Sequence, residues 1–438
     1  MIHLANILIA AADPSLGQEL LQKIRRHGYD GRVVDSLDAA LATTRQEHPD
    51  IVLATENLVG GTAIGLAKTL KKTPECAEIP VCLAASSHSS DLKMQALAAG
   101  IDDVLSPPLD ETKLVARLRP LVRLAIMRTE LHRRAATARR FGIEIIETLP
   151  PTKIDTDYPL LVVGPSGASL SAALEGARPS FASDPFVADD LLSHNNFDAA
   201  ILVPESDPTA YLDFCAQTRN NPRLFNLPVL IVSDPGRVEE TVAYHHGASG
   251  FFNSPVNPAE LRSSVLSLVR RQRLRWEIRK ALGETLRAET RDADTGLYAR
   301  NFLDAYLSDR VAYSAPRGRH LSIMFLRVPD IEGVRQHFGE EQAAHLRLQV
   351  AQWIGSLLRG EDVTARYAEN EFCVVLPDTP KIEAEIVMNR IAGVLAYTDF
   401  AVKEVYQPVK IWARVGAAEL APDDTPSSLI ERARANIV

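Results

Sequence analysis

The segment IPVCL at residues 79–83 returns as LPVLIV at residues 227–232, and this repetition decides the fold. Likewise, DIVL at residues 50–53 returns as DAAILV at residues 198–203, again 148 positions later. Apolar runs of this length, without polar alternation, are typical of strands that are covered on both faces. The sequence therefore predicts that one α/β unit occurs twice along the chain.

Helical patterns lie between these runs, for example at residues 16–27 and 38–47. Strands that alternate with helices indicate a parallel sheet. Each copy is therefore predicted to be a doubly wound five-stranded domain, in which ligands bind at the carboxyl ends of the strands. Each copy also ends in a long charged and apolar helix, predicted at residues 111–140 and 259–290. Such helices either pair between subunits or serve as solvated connectors.

The composition excludes several classes of protein. A length of 438 residues suits about three domains, and the net charge of −8 gives no reason to expect a nucleic-acid partner. No apolar run approaches the ~18 residues of a membrane span, and the first residues lack the basic start of a signal peptide. The four cysteines show no metal-ligand spacing and are predicted to be reduced. We expect a cytoplasmic protein without a membrane span.

Two motifs mark the third unit. DADTGLYAR at residues 292–300 is similar to D-x-L-T-G-L-x-N-R, and RYAENEF at residues 366–372 is similar to R-Y-G-G-(D/E)-E-F. These motifs resemble those of GGDEF domains, and the two repeats resemble response-regulator receiver domains. The resemblance covers nearly the whole chain. It implies two doubly wound, CheY-like receiver domains followed by a cyclase-like, ferredoxin-related GGDEF domain, the layout of PleD-type response regulators.

The repeat and the resemblance together divide the chain into five segments. We expect a first receiver domain at residues 1–125, a helical linker at 126–157, a second receiver domain at 158–270, a second helical linker at 271–291 and a GGDEF domain at 292–438.

The receiver pockets lack the groups that phosphotransfer needs. A functional receiver combines an acidic pair that holds Mg²⁺, a phosphoacceptor Asp, a Ser or Thr, and a Lys. The residues at these positions are Ala11, Ala12, Thr55, Ala85 and Pro107 in the first copy, and Gly164, Pro165, Val203, Ser233 and Ser254 in the second. We expect both copies to be docking and dimerisation domains. An alternative is that Thr55 is itself modified.

The positions of the cyclase active site are also altered. Two glycines of the family's hairpin let the backbone approach GTP, because glycine has no Cβ and adopts positive φ. The replacements are Ala368 and Glu369 at these glycines, Asn370 and Arg327 at two metal-binding carboxylates, Arg335 at a guanine-contacting Asn and Ala344 at a further Asp. A cation at Arg327 repels a divalent metal ion.

The chain also stops at Val438, before the family's basic final segment, A-K-x-x-G-R-N. Of the charged residues that the family uses in its active site, only Glu371 remains, as a remnant of the fold or as a partner for Arg327. We therefore expect a degenerate diguanylate cyclase without enzymatic activity, without bound metal and without a cofactor.

A neighbouring ligand site is retained. Arg359 and Asp362 form an R-x-x-D turn, and five residues, 363–367, separate it from Ala368. In the family this spacing marks an inhibitory site for cyclic di-GMP, and the resemblance adds Arg390 and, from the second receiver, Arg178. Arginine donates paired hydrogen bonds to phosphate or to the guanine O6/N7 edge, and the aspartate can accept from guanine N1 and N2. The alternative is a surface ion pair between Arg359 and Asp362, which would contribute little.

Such a layout resembles that of a cyclic di-GMP effector in cell-cycle control by regulated proteolysis. The resemblance implies recruitment to a cell pole, delivery of the regulator CtrA through RcdA to the protease ClpXP, and a homodimer formed through the receiver domains. Two alternatives are a ligand-independent scaffold and a residual diguanylate cyclase.

Overall fold

The computed structural model describes residues 4–147, 149, 156–165, 167–205, 207–221, 223–403 and 406–438. The chain divides into two compact units. One comprises residues 5–125 and 149–277, and thus both repeats. The other comprises residues 126–148 and 278–438, with Leu4.

The first repeat is a doubly wound domain. It runs through β1 (Asn6–Ala10), α1 (Pro14–Arg25), β2 (Asp30–Val34), α2 (Leu37–Glu47), β3 (Ile51–Thr55), β4 (Asn57–Leu58), β5 (Gly61–Thr62), α3 (Ala63–Lys72), β6 (Val81–Ala84), α4 (Ser90–Ala98), β7 (Asp103–Leu105) and α5 (Glu111–Arg139). Its parallel sheet has the order β2-β1-β3-β6-β7, while β4 and β5 form a separate hairpin. The apolar runs are buried on both faces, as the sequence predicts.

The second repeat has the same topology. It runs through β8 (Tyr158–Val163), β9 (Ala177–Ala182), α6 (Pro185–His194), β10 (Ala199–Leu202), α7 (Thr209–Asn220), β11 (Val229–Ser233), α8 (Glu240–His245), β12 (Gly250–Asn253) and α9 (Pro258–Glu284). Its sheet order, β9-β8-β10-β11-β12, matches the first strand for strand. A short 3₁₀ segment at Gly167–Leu174 replaces the counterpart of α1. The first strands of the two repeats, at residues 7–10 and 160–163, are therefore farther apart in sequence than the later strands.

Of the two long helices, α5 has its predicted extent and α9 ends earlier than predicted. Helix α5 ends at Arg139, so the predicted linker at residues 126–157 is helical in its first part only, and residues 148 and 150–155 lie outside the described residues. Helix α9 ends at Glu284, before the predicted end near residue 290. There the hydroxyl of Thr285 donates to the carbonyl of Leu282 at 2.6 Å, a local bond that competes with further helix.

The compact unit that contains residues 278–438 is built on an antiparallel sheet. Its elements are α10 (Arg300–Ser314), β13 (Leu321–Arg327), α11 (Asp330–Phe338), α12 (Glu340–Ser356), β14 (Val363–Ala368), β15 (Glu371–Pro377), α13 (Lys381–Tyr397), β16 (Arg414–Glu419) and α14 (Pro426–Ala435). The sheet order is β14-β15-β13-β16. The motif at residues 366–372 forms the β14–β15 hairpin.

This sheet has a core on each face. Along β13, Met324 and Leu326 pack into one apolar cluster, while Ile323 and Phe325 pack into another. Successive side chains of a strand point to opposite faces, so both faces must be covered by helices. The architecture is therefore as predicted: two doubly wound α/β domains followed by a domain with a four-stranded antiparallel sheet.

Candidate functional site

The R-x-x-D turn lies between α12 and β14. The backbone N–H of Arg359 donates to Oδ2 of Asp362 at 2.8 Å, and the N–H of Asp362 donates to the carbonyl of Arg359 at 3.2 Å. Asp362 is buried, whereas Arg359 is exposed. In the described part of the chain, no carboxylate lies within ion-pairing distance of the Arg359 guanidinium. The carboxylate thus binds the backbone of the turn, and the expected alternative of a surface ion pair is not observed.

Burial gives Asp362 an unusual titration. Burial and the neighbouring carboxylate of Glu361 raise the pKa of Asp362 to about 7, although the guanidinium groups of Arg359 and Arg134 act in the opposite direction. Its Oδ1 atom is buried and accepts no hydrogen bond from the described residues. Near neutral pH this carboxyl group is therefore divided between its protonated and ionised forms.

Arg390 lies beside the same turn. From α13, its Nη2 donates to the carbonyl of Leu357 at 2.8 Å, and Leu357 caps the end of α12, two residues before Arg359. Arg178 belongs to the other compact unit, at the start of β9, where its Nη1 lies 3.7 Å from Oδ1 of Asp157. The structure therefore brings together Arg359, Asp362 and Arg390 within one unit.

A further arginine at the turn was missed by the sequence analysis. A Cβ placed on Gly360 would lie 3.6 Å from Cγ of Arg279, which shows that the Arg279 side chain lies against the turn. Arg279 is exposed and comes from the end of α9, about 80 residues earlier in the chain. Together Arg279, Arg359 and Arg390 form what we call the arginine cluster. No local motif could have indicated this contact.

The turn is supported from beneath by α5. Nη2 of Arg134 donates to the carbonyls of Glu361, at 2.5 Å, and Asp362, at 3.0 Å. Nε of Arg134 donates to Glu130 at 2.7 Å, and that carboxylate also accepts from the hydroxyl of Tyr306 at 2.6 Å. All these groups are buried. Such a network holds the turn in one conformation.

The arginine cluster is suited to an anionic ligand. Its guanidinium groups are exposed and, among the described residues, form no ion pair with a carboxylate. Planar guanidinium groups donate in pairs to phosphate oxygens and stack on aromatic bases. The cluster therefore offers exposed guanidinium donors to an anionic group.

The cyclase pocket holds cations where a metal ion would bind. Nε of Arg327 donates to Oε1 of Glu371 at 2.6 Å, and Nη2 of Arg434 lies 3.1 Å from Oε2 of the same buried carboxylate. Mg²⁺ requires anionic or neutral oxygen ligands. Because the carboxylate that remains is already neutralised by two guanidinium groups, the residues present do not fit Mg²⁺. Arg434, on α14, was not anticipated from the sequence.

The first receiver pocket uses its polar groups locally. The hydroxyl of Thr55 donates to the carbonyl of Asn57 at 3.0 Å. Asp13 accepts from the hydroxyl and the N–H of Ser15, and these bonds lower its pKa. Glu56 accepts from the hydroxyl of Ser86 at 2.6 Å. In the described part of the chain, no group of three or more metal-ligating side chains is placed to hold a metal ion.

The second receiver pocket has no room for a side chain at position 164, one of the two positions of the acidic pair. A Cβ on Gly164 would lie 2.2 Å from the carbonyl oxygen of Val203, and Gly164 adopts a φ of 134°. An aspartate at this position would require the backbone to move. The close approach of these two chain segments therefore excludes the side chain that a phosphorylation pocket needs.

Residues 289–438 match the family described as the diguanylate cyclase GGDEF domain, and residues 7–119 match the response regulator receiver domain. The response regulator PleD of Caulobacter vibrioides is 27% identical over 433 residues, which are 98% of this chain and 95% of that protein. The phosphate regulon regulator PhoB of Pseudomonas aeruginosa is 28% identical over 118 residues, 27% of this chain and 52% of its own length.

Among solved structures, the GGDEF domain of DgcB from Caulobacter crescentus in complex with c-di-GMP is 23% identical. The matched residues make up 34% of this chain and 85% of the DgcB chain, with a TM-score of 0.33. Helices long and apolar enough to cross a membrane are absent from the described residues.

Proposed function

We propose that this PleD-like response regulator, which contains receiver and GGDEF domains, is a receptor for cyclic di-GMP that does not synthesise it. The observation that carries the proposal is the arginine cluster at the R-x-x-D turn. There, Arg359 and Arg390 present exposed guanidinium groups beside the retained carboxyl group of Asp362. Cyclic di-GMP combines two phosphodiesters with two guanine bases, the two chemical groups that arginine binds best.

Each residue has a separate role in this proposal. Arg359 and Arg390 donate to phosphate oxygens or to the guanine O6/N7 edge. Asp362 accepts from guanine N1 and N2 after it exchanges the backbone N–H of Arg359 for the base. Arg178, which belongs to the other compact unit, adds a further guanidinium donor for the same ligand. No cofactor takes part.

The residues of the cyclase pocket support the proposed absence of cyclase activity. A catalytic metal would stand next to Arg327 and Arg434, and both guanidinium groups are engaged with the one remaining carboxylate, Glu371. Displacing them would leave a buried charge without a partner, which is costly. No observation favours residual cyclase activity over ligand binding alone.

The role in the cell follows from a finer resemblance, to PopA. On this proposal the ligand-bound protein is recruited to a cell pole and delivers CtrA, through RcdA, to the protease ClpXP in cell-cycle control. It acts as a homodimer formed through its receiver domains. Loss of polar localisation in a strain that expresses Arg359→Ala at parental levels would support this role, and unchanged localisation and CtrA turnover would contradict it.

Calorimetric titration of the full chain with cyclic di-GMP tests the binding site. A hydrogen bond to a charged group contributes about 1.5–3 kcal/mol, and each ~1.4 kcal/mol is tenfold in affinity. Arg359→Ala and Arg390→Ala should therefore each weaken binding at least about tenfold. Arg178→Ala should weaken binding less, and should abolish a ligand-induced compaction that X-ray scattering detects in the parent protein.

Arg414→Ala is a matched control. Arg414 is an exposed arginine at the start of β16, the edge strand on the opposite side of the sheet from β14. Its removal should leave the affinity unchanged. If Arg359→Ala binds as tightly as the parent protein, the arginine cluster is not the ligand site and the chain is a ligand-independent scaffold.

A further inference from the structure

The two repeats contact each other through equivalent elements. Helices α4 and α5 with strand β7 of the first repeat face α8, α9 and β12 of the second. Nζ of Lys93 lies 3.1 Å from Glu260, and Nζ of Lys113 lies 2.7 Å from Glu240. A cavity of about 380 Å³ lies along this contact, which we call the receiver seam, and these four charged side chains line it. Charged side chains therefore determine much of how the two repeats fit together.

The two ion pairs are related by exchange of the repeats. Lys93 and Glu240 are 147 positions apart, and so are Lys113 and Glu260, which is the offset between the repeats in this region. Each pair therefore joins position 93 of one repeat to position 113 of the other. This is the pattern of a twofold interface, in which residue i contacts j and residue j contacts i.

The charges do not share that symmetry. Both lysines belong to the first repeat, and both glutamates belong to the second. If two first repeats paired through the same face, Lys93 of one would meet Lys113 of the other, twice. Two second repeats would likewise oppose Glu240 and Glu260. The Lys113 side chain is only 5% exposed, so like charges placed there would be poorly screened.

The two repeats also differ in side-chain size at the seam, where Asp103 of the first corresponds to Gly250 of the second. Arg117 pairs with Asp103 in its own repeat and donates to the carbonyl of Ser249 across the seam at 2.7 Å. The counterpart of Asp103 in the second repeat is Gly250, and a Cβ there would lie 3.3 Å from Nη1 of Arg117. The absence of a side chain at Gly250 thus leaves Arg117 free to reach the second repeat.

We propose that the receiver seam is a heterotypic recognition surface: the first repeat accepts only the second repeat, within one chain or exchanged between two copies of the chain. Pairing of the same repeat from two copies is opposed by the like charges that it would bring together at positions 93 and 113, or at positions 240 and 260. Chains that associate through this face therefore do so by exchanging repeats.

Charge-reversal variants of the full chain test the proposal. Lys93→Glu with Lys113→Glu places four acidic groups in the seam, and Glu240→Lys with Glu260→Lys places four basic groups there. Each double variant should lower the melting temperature by at least about 5 °C. The quadruple variant restores opposite charges and should regain most of that loss. The control for the lysine double variant is Lys68→Glu with Lys72→Glu, which changes the net charge by the same amount. Both lysines are exposed on α3.

Mixing the two double variants tests pairing between copies. Neither can pair its repeats within one chain, but a repeat of one variant complements a repeat of the other. Native mass spectrometry should detect a one-to-one complex in the mixture and none in either variant alone. A quadruple variant as unstable as the doubles would overturn the recognition role, and a mixture without complex would overturn exchange between copies.

Discussion

At the scale of single residues, the turn at the arginine cluster is closed by the carboxylate that the proposed ligand needs. Oδ2 of Asp362 accepts from the backbone of Arg359, and Oδ1 is buried. Ligand binding therefore requires this side chain to leave the turn and to be ionised. Burial and Glu361 oppose ionisation, because together they raise the pKa of Asp362 to about 7.

Cyclic di-GMP should therefore bind more tightly as the pH rises from 6 to 8. A carboxyl group with a raised pKa is mostly protonated below pH 7 and mostly ionised above it, and only the ionised form accepts from both guanine N1 and N2. The affinity should increase by up to about tenfold over this range. Titration calorimetry at several pH values measures it.

The control for this pH dependence is Asp362→Asn. Its amide oxygen still accepts from the N–H of Arg359, but it does not titrate. The variant should bind weakly and with the same affinity at pH 6 and pH 8. A parent protein whose affinity is constant over this range would show that Asp362 does not accept from the ligand.

At the scale of elements, helix α5 has two roles along its length. Its first part completes the first repeat, and residues 126–139 belong to the unit that contains the R-x-x-D turn. There, Arg134 donates hydrogen bonds to two backbone carbonyls of the turn and to the carboxylate of Glu130. The turn is thus positioned by a helix that lies more than 200 residues earlier in the chain.

Arg134→Ala should destabilise the GGDEF unit by about 3–5 kcal/mol, because it leaves the buried Glu130 without its charged partner. Denaturant unfolding, followed by fluorescence, measures the loss. Tyr306→Phe removes one hydrogen bond to the same carboxylate and should cost only about 1 kcal/mol. Equal losses for the two variants would mean that Arg134 is not the principal partner of Glu130.

At the scale of the whole molecule, two receiver folds and a GGDEF fold are retained, while the pockets that carry the chemistry of such folds hold other groups. Thr55 satisfies its hydroxyl locally, Gly164 lies against Val203, and Glu371 is bound by arginine. We infer that the molecule acts by binding and by contacts between domains.

We therefore expect the full chain neither to accept a phosphoryl group nor to synthesise cyclic di-GMP from GTP. Mg²⁺ with beryllofluoride, which mimics a phosphorylated aspartate, should leave the melting temperature unchanged. Mg²⁺ with GTP should yield no cyclic di-GMP by chromatography. A beryllofluoride-dependent shift would reveal a functional receiver pocket, and turnover that disappears in Glu371→Gln would reveal a functional cyclase.

The sequence by itself determined the features that depend on local pattern. Buried strands appear as short apolar runs, and a duplicated domain appears as the same runs at a constant offset. The strands at residues 51–55 and 229–233 were therefore predictable. The resemblance to GGDEF domains, carried by motifs along one chain, selected Arg359, Asp362 and Arg390 as candidates.

Only the tertiary structure decided which distant groups meet. Arg279 against Gly360, Arg134 beneath Asp362, and Lys93 opposite Glu260 are contacts between residues far apart in sequence. No periodicity or motif encodes such contacts, because they arise from how packed elements lie side by side. The inward carboxylate of Asp362 belongs to the same class, since its burial and its raised pKa depend on everything packed around it.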